Sequence, residues 1–409
     1  MRGGMIVIAL YLVISLVFPL YSMFSKSFST FQYDLSKFEV QVSDDTGQFP
    51  PTIASLESLN GELKAISNDE LSTGSGGRLG VTIFFPDFSF RSPIMYRIRN
   101  VDNQGRFLVG STLVTGTDWQ ELDSNTFRRV QLRPVRSTGL SNFINYFSTP
   151  ALFKSIQNSI FISVISTIIT VILAFWFAYA LNRSCMRFKG FFRLIAMAPI
   201  LVPSLLPGIA LVYLFGAQGV IKGLLFGASI YGPIGIIIGS VFFTFPHAFL
   251  IISTALAISD ARLYEAAISL KATPWKTFWT VTIPGARYGI ISAAFVVFNL
   301  VITDFGLPKV IGGQFNVLAV DIYKQVIGQQ NFEMGAVVSV VLIIPAILAF
   351  AIDRIVQSKQ VALLTARSVP FHPKPNPRVD SAFTIYCGLV GLFIIGMLGI
   401  CQFAALIKF

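Results

Sequence analysis

Seven stretches of apolar residues recur along this 409-residue chain, near 4–24, 156–181, 191–216, 231–258, 286–306, 334–356 and 382–406. Each is long enough, at roughly 20 residues, to cross a bilayer core of about 30 Å. A chain that buries so much apolar length has few folds open to it. In hydrocarbon every backbone polar group must be paired within the protein, so helices that bond within themselves are the expected solution. Charged residues make up only 12% of the chain, half of what a soluble domain carries, and its mean hydropathy is +0.69. Two segments are interrupted: the third by Pro199, Pro203 and Pro207, the fourth by Pro233 and Pro246. The first follows Arg2 but no small-x-small cleavage site comes after it, so it reads as an uncleaved anchor.

Charge placement gives an expected orientation. Residues 26–150 hold 12 Lys/Arg against 13 Asp/Glu, whereas the remainder holds 19 against 7. The excess lies in alternate connections: Arg183, Arg187, Lys189 and Arg193; then Arg262, Lys271, Lys276 and Arg287; then Arg354, Lys359, Arg367, Lys374 and Arg378. The connection at 217–230 has only Lys222. By the positive-inside rule the basic connections are cytoplasmic, the N-terminus is inside, and residues 26–150 are outside. Topology therefore accounts for the net charge of +11 without a nucleic-acid partner.

Residues 26–150 read as an external β-rich insertion. Short alternating runs at Val81–Phe85, Met95–Arg99, Phe107–Val114 and Val130–Val135 predict strands. Residues 72–77, a Ser/Thr/Gly run, predict a loop. The tail at 357–380, with Pro370, Pro373, Pro375 and Pro377, predicts an extended cytoplasmic linker before the last span. Cys185, Cys387 and Cys401 lie in or beside apolar segments and have no disulfide or metal spacing. His247 and His372 stand alone, with no nucleophile–base set and no phosphate-binding loop, so neither a catalytic site, a metal site nor a cofactor is expected.

The most specific pattern lies at 259–285, between the fourth and fifth apolar segments. Here Glu265, Ala266, Ala267, Leu270 and Ala272 are followed by Phe278, Val281, Ile283 and Pro284. This resembles the cytoplasmic E-A-A loop of the permease subunits of binding-protein-dependent ABC importers; one position departs, since Lys271 stands where that family has Gly. The resemblance extends over roughly 141–356. It implies an all-α polytopic membrane protein: a permease-type helical bundle with the β-rich insertion between spans 1 and 2. The expected parts are an N-terminal anchor (1–25), the insertion (26–150), the permease domain (151–356), the linker (357–380) and a seventh span (381–409). That last span looks like the opening helix of a second permease half, in the manner of fused iron(III) or 2-aminoethylphosphonate permeases.

The resemblance also implies a role for the loop. Two short helices would dock on a separate ATPase through Glu265, Ala266, Ala267, Leu270, Lys271, Ala272, Trp275, Phe278 and Pro284. Ala266 and Ala267 allow close approach, Leu263 and Leu270 flank them, and Trp275, Phe278 and Trp279 supply large contacts. Thr273 is placed to cap a second helix that begins at Pro274. Lys271 would carry a steric cost if its backbone turns left-handed. A translocation path needs broken helices and inward polar groups, and Pro203, Pro207, Asn299, Thr303 and Asp304 are the candidates. Glu333 and Asp321 read as external and solvated. Expected partners are a cytoplasmic ABC ATPase dimer, a periplasmic solute-binding protein and a second permease half (downstream, separate or a second copy), in a bacterial inner membrane. Three other readings compete: a loop that rests on lipid, a membrane-anchored receptor that binds ligand through 26–150, and an intramembrane enzyme.

Overall fold

The computed structural model describes residues 8, 10–32, 38–43, 48–49, 54–55, 81–82, 95–101, 107–109, 112–123, 131–132, 135–219, 221–225, 227–363, 371, 373 and 375–406. The loop expected at 72–77 and His372 lie outside them. The chain forms two compact units, one of Met1–Asn145 with Gln325–Val337 and one of Tyr146–Lys324 with Val338–Phe409.

The first unit opens with an apolar helix. A π-helical turn at Val13–Val17 leads into α1 (Phe18–Ser27), and large side chains such as Tyr11, Ile14, Phe18 and Tyr21 stand exposed along it. The strands that follow are β1 (Ser29–Gln32), β2 (Phe38–Val42), β3 (Ala54–Ser55), β4 (Val81–Thr82), β5 (Met95–Asn100), β6 (Phe107–Val109), β7 (Thr112–Val114), β8 (Gln120–Asp123), β9 (Gln131–Leu132) and β10 (Val135–Thr138). They form sheets in the orders β1-β10, β3-β2-β5-β8 and β4-β9-β6-β7. The run 107–114, expected as one strand, is two antiparallel ones with Phe107 opposite Val114. The buried side chains of Phe38, Ile98 and Phe107 face the interior of the β-rich part, and Arg99 pairs with Glu39 at 2.7 Å across β2 and β5. Pairing of β1 with β10 brings the two ends of the insertion together, Ser29 facing Thr138.

The second unit is helical: α2 (Ser141–Ser148, begun in the first unit), α3 (Pro150–Arg183), α4 (Lys189–Met197), α5 (Leu205–Phe215), α6 (Pro233–Ala257), α7 (Ala261–Ser269), α8 (Pro274–Thr277), α9 (Ile283–Ile302), α10 (Gly306–Ile311), α11 (Leu318–Tyr323), α12 (Phe332–Leu363, also begun in the first unit) and α13 (Pro377–Leu406). Among the described residues six helices are long and apolar enough to cross a membrane. They are Leu10–Ser27, Pro150–Arg183, Pro233–Ala257, Pro274–Ile302, Phe332–Ser358 and Pro377–Ala404. The third segment, which the sequence marks as interrupted, is a bent pair, Lys189–Leu201 and Leu205–Phe215 at 102°. Pro199, Pro203 and Pro207 lie at that break, where a missing N–H and a clashing ring prevent a continuous helix.

The helices pack through small and hydroxyl side chains alongside large apolar ones such as Phe177 and Phe249. On α3 the buried stripe includes Ser155, Ser159, Ser163, Ser166, Thr170, Ala174 and Ala178, whereas Phe161, Ile168, Ile172 and Trp176 are exposed. Lipid is as apolar as leucine, so helices gain from close approach and polar pairing rather than from hiding large side chains. The hydroxyls of Thr170 and Thr244 lie 3.2 Å apart between α3 and α6. At the α6–α9 crossing a Cβ added to Gly289 would lie 2.3 Å from that of Ala255.

Two further expectations are corrected. The tail expected as an extended linker from 357 continues α12 to Leu363, because no proline interrupts it before 370. Asp321, expected to be solvated, is only 3% exposed, since α11 packs on the first turns of α3.

Candidate functional site

The stretch from Asp260 to Ile302 is built from three local devices. The first is the N-terminus of α7, where the Asp260 carboxylate accepts the Arg262 N–H at 3.1 Å. The second is its C-terminus. Lys271 adopts φ 53°, its N–H donates to the Ile268 carbonyl at 2.9 Å, and the Ala272 N–H donates to the Ala267 carbonyl at 3.0 Å. This pair of bonds is a Schellman motif, which favours glycine at the left-handed position. Lys271 therefore carries the steric cost that the sequence suggested, about 1–2 kcal/mol. The third is the N-cap of α8, where the Thr273 hydroxyl accepts the Lys276 N–H at 3.3 Å and Pro274 occupies the first turn.

From Pro274 the helix does not stop. A π-helical turn at Phe278–Thr282 joins α8 directly to α9. The second loop helix is thus the first turn of the following span, which runs from Pro274 rather than from 286. Pro284, expected to close the loop, lies inside this continuous run. Proline lacks an N–H and its ring clashes with the preceding turn. The wider π turn just before it is a device that accommodates such defects.

The surface of this stretch is divided. Ala267 and Phe278 are buried, whereas Glu265, Ala266, Lys271 and Pro274 are exposed. Leu263, Ile268, Leu270, Trp275 and Trp279 are also exposed, Leu270 at 82% and Trp275 at 67%. Ala272 is half-buried, and Pro284 is exposed. Phe278, expected among the outward contacts, instead stacks on Trp176 with centroids 5.5 Å apart and meets Phe175 and Tyr179 edge-on. It anchors the loop to α3.

Three side chains that the sequence did not single out hold α7 in place. The Tyr264 hydroxyl donates to the Thr282 hydroxyl at 3.1 Å, and Arg183, the last residue of α3, donates to Tyr264 at 3.3 Å. These contacts span 18 and 81 residues of sequence, so no local pattern signals them.

The path candidates fall into one group and two outliers. The break between α4 and α5 meets the break between α9 and α10. Ser204 donates to Asp304 at 2.6 Å, and the Leu307 N–H donates to the other carboxylate oxygen at 3.3 Å. Gly306 fits against this junction, since a Cβ there would lie 2.7 Å from the Ser204 hydroxyl. Pro203 is exposed at the junction and Pro207 is buried one turn on. Asp304 lies beyond the end of α9, not within a span as expected, and its carboxylate meets the first turn of the next short helix at the Leu307 N–H. The outliers are Thr303, which donates to the Asn299 carbonyl at 2.7 Å, and Asn299, whose buried side-chain oxygen has no hydrogen-bond partner. A buried carboxylate with no signal in the sequence is Asp353 on α12, which accepts from Ser292 at 2.5 Å and Gln357 at 2.8 Å.

Residues 170–361 match the family described as binding-protein-dependent transport system inner membrane component. The chain is 27% identical over 210 residues to the ferric transport system permease protein FbpB of Actinobacillus pleuropneumoniae, covering 49% of this chain and 31% of that protein. It is 29% identical over 170 residues to the molybdenum transport system permease protein ModB of Azotobacter vinelandii, covering 40% and 75% respectively. The chain spans about a third of the length of the ferric permeases it matches. Among solved structures, a bacterial alginate ABC transporter, in complex with alginate pentasaccharide-bound periplasmic protein, aligns with TM-score 0.45 and 16% identity over 56% of this chain and 85% of the other.

Proposed function

We propose, for a chain that carries at residues 170–361 the inner membrane component of binding-protein-dependent transport systems, a specific division of labour within an ABC importer. It is a multi-pass membrane permease subunit. Its loop at 259–285 docks a separate cytoplasmic ATPase, which supplies the hydrolysis. A periplasmic binding protein delivers a small solute to the opposite side. A second permease half completes the pathway and supplies the second docking site.

The observation that carries this reading is the exposed face of α7 and α8. Glu265 and Ala266 lie there among Leu263, Ile268, Leu270, Trp275 and Trp279. Exposed large apolar and aromatic side chains beside one acid, with Arg262, Lys271 and Lys276 also exposed, match the composition of a protein interface. A loop resting on lipid would account for Trp275 and Trp279 but has no use for a carboxylate at its centre. The broken helices that meet at Ser204 and Asp304 support a pathway nearby, because irregular backbone at membrane depth is tolerated where it lines a cavity or is buried in protein.

Ferric permeases among the relatives favour iron(III), with 2-aminoethylphosphonate as the competing cargo. Cells that carry the chain should take up one of the two in an energy-dependent manner. Glu265→Lys, expressed at the wild-type level, should abolish that uptake, and normal uptake by this variant would overturn the docking role.

A further inference from the structure

Arg183 ends α3 where four chain segments meet. Its guanidinium donates to the Leu256 carbonyl at 2.7 Å and to the Ser259 hydroxyl, both at the end of α6. It also donates to the Tyr264 hydroxyl on α7 at 3.3 Å. The same group lies 5.0 Å from the Tyr264 ring centroid and 4.7 Å from that of Phe371, and those two rings pack 4.6 Å apart. Among the described residues no carboxylate pairs with Arg183. Its charge is met by carbonyl and hydroxyl oxygens and by two ring faces, a set of contacts that a planar five-donor fork makes at once.

Phe371 belongs to the short segment before α13, and that segment is itself tied to the end of α3. The Cys185 N–H donates to Asp380 at 2.8 Å, and the Asn376 N–H donates to its other oxygen at 3.1 Å. The Cys185 thiol donates to the Pro373 carbonyl at 3.3 Å. The ends of α3 and α6, the loop helix α7 and the segment 371–380 are therefore joined through one side chain.

We infer that Arg183 is the positioning residue of the 259–285 loop, and that Phe371 makes the 371–380 segment a brace for the same loop. The inference rests on the proposal that this loop is where force from the ATPase enters. A short amphipathic helix held only by its own two caps would tilt on docking. Arg183 stands at the end of α3 and bonds both the end of α6 and Tyr264 on α7, so the fork fixes the angle of α7 against α3 and α6. Tyr264 passes the constraint on to Thr282, at the entry of α9.

Amide hydrogen exchange on the full chain in lipid nanodiscs, with no ATPase present, tests this apart from the docking proposal. Exchange reports local opening free energy segment by segment. Arg183→Gln should speed exchange across residues 261–270 about fivefold, a loss of roughly 1 kcal/mol, while residues 233–257 keep the wild-type rate. Arg183→Lys should fall between Gln and wild type, since it keeps the charge over the rings and loses the fork. Phe371→Leu, about a hundred residues away in sequence, should also speed exchange at 261–270. An unchanged rate in Arg183→Gln, or an equal rise throughout 233–257, would overturn the positioning role. A wild-type rate in Phe371→Leu would remove the brace. Failure of docking would leave all these rates as predicted and show instead in the uptake of Glu265→Lys.

Discussion

Ser204 donates a 2.6 Å hydrogen bond to Asp304, and this single contact joins two helix breaks that lie a hundred residues apart in sequence. Bonds to a charged acceptor contribute more than neutral ones, about 1.5–3 kcal/mol. Ser204→Ala and Asp304→Asn should each lower the thermal midpoint in detergent. Because they remove the same contact, the double variant should lose less than the two single losses together, by at least about 0.5 kcal/mol. Strict additivity would show that the two breaks are held independently.

Lys271 occupies a left-handed position that glycine adopts without strain. Lys271→Gly should stabilise the Schellman turn by about 1 kcal/mol and slow amide exchange at Ala272 about fivefold. Faster exchange in this variant would mean that the lysine side chain makes contacts whose loss outweighs the relieved backbone.

Asp321 is buried, one of its carboxylate oxygens has no hydrogen-bond partner, and burial raises its pKa above the ordinary carboxylate value; Ser155 and Lys324 oppose that shift. The native state therefore holds this proton to a higher pH than the unfolded chain does. Its contribution to stability is greatest below the unfolded pKa and is lost as pH rises through the raised folded value. The thermal midpoint should fall as pH is raised from about 4 through the acid range, and Asp321→Asn should flatten that slope. An unchanged slope in the variant would assign the effect to other groups.

The orientation proposed from charge is checked by labelling. In a variant lacking Cys185, Cys387 and Cys401, a cysteine placed at Thr117 should react with a membrane-impermeant maleimide in intact spheroplasts, and one at Ser358 only after lysis. The opposite pattern would invert the chain.

Much of this architecture is legible in the sequence, for reasons that are local. Apolar length marks the spans, and Thr273 followed by Pro274 marks a helix start, because capping and proline chemistry act within one turn. What is not legible depends on distant partners. Pro199, Pro203 and Pro207 signal a break, but not its 102° bend or the packing of α10 and α13 against α5 beyond it. Phe278 reads as an outward aromatic until Trp176, a hundred residues earlier, turns out to cover it. Tyr264 and Arg183 carry no motif, and Asp321 is exposed or buried only according to whether α11 packs on α3.

Site-specific photo-cross-linking from position 270 tests the central claim most directly. Leu270 is 82% exposed beside Glu265 and Ala266 on the proposed docking face. A photoreactive amino acid there, irradiated in inverted membrane vesicles, should give a cross-link to an ABC ATPase subunit identified by mass spectrometry. The cross-link should weaken at least tenfold in Glu265→Lys, the equivalent of about 1.4 kcal/mol of lost docking. Cross-links to lipid alone, unaltered by Glu265→Lys, would contradict the account.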